Sequence, residues 1–198
     1  LSSGGPWDVL AIDYTGPFPI TSRGNRYILV LTDHFTKYVE VFPVPNQTAE
    51  DCALRIMDNV IARWGAPLSI HSDQGAAFES KVFQELCRVL EVKKTRSSAR
   101  NPRGNGQVER FNQTLLKMLG TLEEHQKSDW KAHVPSLVHA YNATRHESTG
   151  FSPYFLMFGR HPRLAIDAFL GLPTDSLSSG ITTEYVVKLQ DRLRSAYA

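Results

Sequence analysis

The sequence predicts an α/β fold in which a five-stranded mixed sheet is flanked by helices, with a further helical extension at the carboxy end. Two observations on the order of its periodicities predict this. Three β-rich runs come first, and the second and third are separated only by Asp33–His34–Phe35–Thr36, a spacing that implies an antiparallel hairpin. Helix, strand, helix and strand periods then follow in turn before the chain becomes wholly helical. A third observation is size: 198 residues, 41% hydrophobic and 21% charged, supply one sizeable core with room for an appendage.

Taken in order, Trp7 to Asp13 alternates, with Trp7, Val9, Ala11 and Asp13 on one face of a first strand. Gly16–Pro17 ends it, and Arg26–Thr32 and Lys37–Val44 form the hairpin. Thr48 caps a helix whose apolar residues Ala53, Ile56, Met57, Val60 and Trp64 keep helical spacing until Gly65 and Pro67 stop it. Leu68 to His71 is a short fourth strand. Ser80 caps a second helix carrying Phe83, Leu86, Cys87 and Leu90, and Val92–Thr95 is the fifth strand. Pro102, Gly104 and Gly106 then break regular structure, and Val108, Phe111, Leu115, Leu119 and Leu122 recur with the spacing of a helix that has one buried stripe. Ser128–Arg145 reads as another helix with Trp130, Val134, Leu137, Val138 and Tyr141 inward, and Pro135 either kinks it or marks its start. Ser152–Pro153 opens a short helix that Gly159 ends. Pro173–Gly180 is linker-like and Thr183–Ala198 is a last helical pattern. The expected division is therefore a core over 1–172, then a linker and the start of a carboxy-terminal helix over 173–198.

Composition excludes several classes. A net charge of +2 means that nucleic-acid affinity must come from local clustering rather than from a polycationic whole. Cys52 and Cys87, the only cysteines, fall inside helical patterns and are expected to be buried and reduced; no Cys/His set has zinc spacing. No secretory leader pattern and no apolar run of roughly 18 residues is present, so neither secretion nor membrane insertion is expected. The chain begins at Leu1 and stops at Ala198 inside a helical pattern, as an excerpt of something longer would.

Three carboxylates stand out against this background. Asp13 closes the apolar run from Trp7, Asp73 follows the short buried strand from Leu68 and precedes the Gly75 turn, and Glu109 sits in the first turns of the Val108 helix, on a face with Asn112 and Gln113. A carboxylate placed by a rigid helix and fronted by a loop bearing Gly and Arg suggests a metal ligand near a phosphodiester. Singly, each has a plainer reading. A strand-end Asp is usually a turn or cap residue, and Glu109 is also a first-turn acid favoured by the helix dipole. Asp33, opening the hairpin, is read as structural. His71, two residues from Asp73, is read as packing rather than as a base.

Jointly the three carry more. Thirty-five residues separate Asp73 from Glu109. With Ile12–Asp13–Tyr14–Thr15–Gly16–Pro17, Ser72–Asp73–Gln74–Gly75 plus Phe78, and Gly106–Gln107–Val108–Glu109–Arg110–Phe111–Asn112, the pattern resembles the catalytic core of retroviral and retrotransposon integrases. The resemblance runs from about Trp7 to Leu172. Phe158–Gly159–Arg160–His161–Pro162–Arg163 is similar to the gypsy-type branch. It implies a ribonuclease-H-like fold and a polynucleotidyl transferase that trims a 3′ end and then transfers that strand into target DNA. It implies two Mg²⁺ or Mn²⁺ ions held by Asp13, Asp73 and Glu109, with Asp13 shared between them. Such an arrangement suits in-line displacement, because two cations stabilise both the attacking and the leaving oxygen.

The partners implied are DNA, as element ends and target duplex, and further copies of the chain, but no membrane. The place implied is the nucleus, with a cytoplasmic stage before entry. The self-association faces expected are the helix from Ser80 and the Ser128–Arg145 helix, with Trp130 and Tyr141 as aromatic anchors. Around Glu109 the basic residues Lys93, Lys94, Arg96, Arg100, Arg103 and Arg110, against a single acid, predict phosphate contacts, with Asn105 and Gln113 beside them. Arg100 and Arg103 depart from the family, which often has an aromatic residue and a Gln there. The alternative reading is a domesticated host module that binds DNA or protein without integrating.

Overall fold

A computed structural model describes residues 4–96 and 106–162, together with 191, 192, 194 and 195. The expected linker and most of the last helical pattern lie outside the described residues, as do Arg100, Arg103 and Asn105. The chain divides into two compact units, Leu1–Ala140 and Tyr141–Ala198.

The first unit is built on a five-stranded mixed sheet in the order β3-β2-β1-β4-β5. Its strands are β1 (Val9–Thr15), β2 (Tyr27–Asp33), β3 (Val39–Val44), β4 (Ser69–Ser72) and β5 (Lys93–Arg96). The pairs β1–β2 and β2–β3 are antiparallel, whereas β1–β4 and β4–β5 are parallel. Central β1 is thus the strand at which the antiparallel half meets the parallel half. It runs two residues past Asp13, so Asp13 lies within the strand rather than closing it. Gly16 follows at φ +128°, where a Cβ would meet the Arg26 carbonyl at 2.8 Å, so only glycine fits this exit from the strand.

Strand alternation sorts the side chains. Val9, Ala11 and Asp13 share one face with Ser69 and His71, and helix α4 (Gly106–Gly120) lies on that face, burying Val108, Phe111, Leu115 and Leu119. Tyr14 points the other way. There it stacks on Phe78 with ring centroids 5.3 Å apart, and Phe78 meets Phe83 of helix α3 (Lys81–Val89) edge-on. The Tyr14 hydroxyl donates to the carbonyl of Thr48 at 3.1 Å; Thr48 is the N-cap of helix α1 (Ala49–Arg55), and its side chain accepts from the Asp51 amide. Ser80 caps α3 in the same way, accepting from the Phe83 amide.

The helix expected from Thr48 to Trp64 forms with a different inward register. Between α1 and α2 (Ala62–Trp64), residues Ile56–Ile61 are π-helical. The wider turn aligns Cys52, Ile56 and Val60 inward and leaves Met57, expected in the core, 39% exposed. Leu122 falls beyond α4 and is only half-buried. The helix expected over Ser128–Arg145 is α6 (Trp130–Ala143), with Pro135 inside it, preceded by the short α5 (Glu124–Lys127). Trp130 is not a free aromatic anchor: it is buried, packs on Phe18 at 4.9 Å between centroids, and donates its indole N–H to the Pro19 carbonyl. Both cysteines are buried free thiols, and burial pushes that of Cys52 up to about 12.

In the second unit, Ser152 caps α7 (Pro153–Phe158), Pro153 takes its first turn and Gly159 closes it at φ +66°. Phe151, Phe155 and His161 stack in series. Among the described residues no helix is long and apolar enough to cross a membrane.

Candidate active site

Asp13 faces Val30 across β2, and the parallel register with β4 ends at Ile12 opposite Ser72. One step further, Asp73 leaves β4 beside Asp13. The carboxyl ends of parallel strands next to a switch in strand order are where open α/β sheets place their ligands. The Asp13 carboxylate is held from two sides: Oδ1 accepts from the Tyr14 amide at 2.8 Å and Oδ2 from Asn112 Nδ2 of α4 at 2.9 Å. Burial pushes this carboxyl up to about 6; the charges of Asp73 and Glu109 add to the rise, while the bonds from Tyr14 and Asn112 oppose it. Three acids from a strand, a strand end and a helix thus lie within electrostatic reach at Asp13.

Asp73 is shaped by its own turn. Its Oδ1 accepts from the Gly75 amide at 2.8 Å, and a Cβ on residue 75 would stand 2.9 Å from that oxygen. Glycine at 75 therefore makes room for the carboxylate to fold back. Glu109 is exposed in the first turn of α4, on the same side as exposed Gln113; Asn112 is buried at 8% exposure, bonded to Asp13 rather than facing solvent with them. Among the described residues no Lys, Arg or His pairs with any of the three acids. Nor, as placed, does any group of three or more His, Cys, Asp or Glu form a site that could hold a metal ion.

The neighbouring groups are inert by comparison. His71 is buried with Nδ1 2.9 Å from Thr95 Oγ1, and burial lowers its pKa, so it stays a neutral packing residue. The Tyr14 phenol is raised well above its ordinary range by burial. Asp33, at the end of β2, is a turn residue: its carboxylate accepts from the amides of Trp7, Phe35 and Thr36 and from the Thr36 hydroxyl.

The basic residues are more divided than their sequence cluster implies. Lys94 and Arg96 extend from one face of β5, and both pair with Glu79, an acid just before α3 that lies outside the cluster in sequence. Lys93 extends from the other face and is exposed, as are Arg110 and Gln113 on α4. Sequence reasoning did not assign a role to Glu79, Gln107 or Asn112. The last two had a visible signal, since each is a polar residue flanking the apolar stripe of an amphipathic helix.

A five-stranded mixed sheet in this order, flanked by helices, is a ribonuclease-H-like fold. The comparisons agree. Residues 5–102 match the family described as integrase core domain, a match that includes Asp13 and Asp73 and stops short of Glu109. The Pol polyprotein of transposon 412 from Drosophila melanogaster is 29% identical over 158 residues, which is 80% of this chain and 13% of that protein. Gypsy retrotransposon integrase-like protein 1 from Rattus norvegicus is 34% identical over 164 residues, 81% of this chain and 31% of that protein. The catalytic core domain of HTLV-2 integrase, solved in complex with magnesium, superposes with a TM-score of 0.60 at 20% identity, over 77% of this chain and 97% of that one. The chain belongs to the integrase core family of retroviruses and retrotransposons, and it spans less than a third of the length of these two curated relatives.

Proposed function

We propose that this domain is a Mg²⁺- or Mn²⁺-dependent polynucleotidyl transferase that trims the 3′ end of element DNA and joins it to target DNA. The observation that carries the reading is the charge at Asp13: three acids converge electrostatically there, and no described cationic side chain pairs with them. Carboxylates are the donors that hard divalent cations prefer. Asp13, Asp73 and Glu109 are the side chains that would hold such ions, and an ion needing only two of them would not require a three-acid group around one point. When bound, the cations supply charge stabilisation for the attacking and leaving oxygens of the displacement. The protein's own part is to hold Asp13 rigidly between Tyr14 and Asn112 and to keep the flanking α4 surface open to a duplex. In trimming, water oxygen bonds to phosphorus as the bond to the 3′ oxygen breaks. In joining, the freed 3′ hydroxyl attacks a target phosphodiester and displaces that strand's 3′ oxygen.

DNA would lie over Lys93, Arg110 and Gln113, with Lys94 and Arg96 drawn partly away by Glu79, and Arg100, Arg103 and Asn105 are the further phosphate contacts that the sequence implies. Self-association would use the exposed apolar residues Val82 and Val89, seven apart on α3, with Leu54 and Met57 of the helix from Thr48. Joining to a chromosomal target would put the work in the nucleus. The test pairs a strand-transfer assay on preprocessed ends with filter binding across salt. Glu109→Gln is expected to abolish joining while DNA affinity stays within about twofold. Arg100→Ala with Arg103→Ala is expected to lower the salt slope by roughly two. Near-normal joining by Glu109→Gln would refute Glu109 as a metal ligand.

A further inference from the structure

Helix α4 carries Glu109 on an exposed face, yet the position of that carboxylate relative to Asp13 depends on how far the helix rolls and slides over the sheet. An apolar stripe does not fix roll, because Val108, Phe111, Leu115 and Leu119 tolerate small rotations without losing burial. Polar contacts on the flanks of the stripe do. At about 100° per residue, Gln107 and Asn112 are roughly 140° apart around the helix, with the apolar stripe between them. Asn112 bonds to Asp13 on one flank.

Gln107 provides the other. It is 7% exposed; its Nε2 donates to the Asp33 carbonyl at 2.8 Å, and its Oε1 accepts from Lys37 Nζ at 2.9 Å. Both partners belong to the β2–β3 turn, which is itself rigid. The Asp33 carboxylate takes four hydrogen bonds, the Asp33 carbonyl also accepts from the Lys37 amide at 3.0 Å, and Lys37 Nζ also donates to the His34 carbonyl. Lys37 adopts φ +67°, a backbone conformation rare for a residue with a side chain, and its ammonium bridges this turn to the helix. The cation also fixes the direction of the amide, because only the oxygen end of Gln107 can face it.

The spans match. Asp33 lies opposite Leu10 and Asp13 is three residues further along β1, about 10 Å away, while Gln107 and Asn112 are separated by about 7.5 Å of helix rise. Two anchors at that separation set roll and slide together. Glu109 projects about 60° beyond Asn112, so a roll released at Gln107 moves it directly.

We propose that Gln107 is a positioning residue for Glu109, clamping α4 to the Asp33–Lys37 turn so that the Glu109 carboxylate is held at the distance from Asp13 that a divalent ion needs. The role rests on the proposed two-ion reading of the site, and it belongs to a buried residue whose side-chain partners are Asp33 and Lys37.

The experiment measures Mn²⁺ binding by calorimetry and joining kinetics for Gln107→Leu, Lys37→Met, the double variant and Glu109→Gln, with melting temperatures alongside. Gln107→Leu is expected to weaken Mn²⁺ binding about tenfold. Its joining rate at saturating DNA should fall tenfold to a hundredfold with the KM for DNA unchanged. Lys37→Met should move the same way by less, and the double variant should be no worse than Gln107→Leu, because both remove one clamp. Wild-type Mn²⁺ affinity in a folded Gln107→Leu protein, a loss confined to KM, or additive losses in the double variant would each overturn the assignment. So would unfolding of both single variants, which would make the clamp a contact of the fold alone. If Glu109→Gln binds Mn²⁺ as tightly as wild type, the two-ion reading falls and the role of Gln107 with it. If Glu109→Gln loses binding and Gln107→Leu does not, only the clamp is refuted.

Discussion

Replacing Asp13 by Asn is expected to stabilise the metal-free protein near neutral pH. A carboxyl raised from an ordinary value near 4 to about 6 carries roughly 3 kcal/mol of differential interaction between its two protonation states. Solvent reaches part of Asp13, so screening leaves about 1.5 kcal/mol. The hydrogen bonds survive the substitution. The amide oxygen still accepts from the Tyr14 N–H, and Asn112 can turn its Oδ1, buried without a partner, toward the new amide nitrogen. Because the folded-state value is raised, wild-type stability is greatest below about pH 4 and is lost as pH rises through 6. The Asn variant has no such loss. Thermal melts in chelator should therefore show the variant ahead by ~3–6 °C at pH 7.5 and level with wild type near pH 4. Added Mg²⁺ should raise the wild-type melting temperature and leave the variant unmoved. Equal melting temperatures at pH 7.5, or a gap that persists at pH 4, would show that the charge at Asp13 is not strained by its neighbours.

Three further outcomes are expected. Glu79→Gln releases Lys94 and Arg96, so duplex affinity should rise and the salt slope should steepen by roughly one in filter binding. Phe83→Ala removes a fully buried ring that supports Phe78, and through it Tyr14, and should cost about 3–5 kcal/mol in denaturant titration. Val89→Glu, at a position 64% exposed on α3, should leave the melting temperature nearly unchanged while shifting sedimentation toward monomer; an unchanged mass distribution would remove α3 from the self-association surface.

Much was legible in the sequence because it is set by local chemistry. Thr48, Ser80 and Ser152 announced their helices, since a cap side chain bonds an amide three residues on and needs nothing from the rest of the fold. The stripe of α4 and the order of the strands followed from the period of apolar residues. The three acids were singled out through the words around them, and the parallel register of β1 and β4, which ends at Ile12 opposite Ser72, brings Asp13 and Asp73 to the next positions along two neighbouring strands. The π-helical turn that exposes Met57 was not legible, because a wider turn is chosen by packing against the sheet rather than by any residue in it. The same holds for Trp130, whose spacing fits an interface as well as a core until Phe18 and Pro19 are seen beside it. The sequence by itself determined which residues are acids, caps and apolar stripes, since those properties travel with the side chain. Only the tertiary structure decided that Glu79 neutralises two of the expected phosphate contacts, that Asn112 holds Asp13, and that Gln107 reaches Asp33 and Lys37 some seventy positions away. Those pairings join residues distant in the chain, and no local period or propensity encodes which distant group a polar side chain will meet.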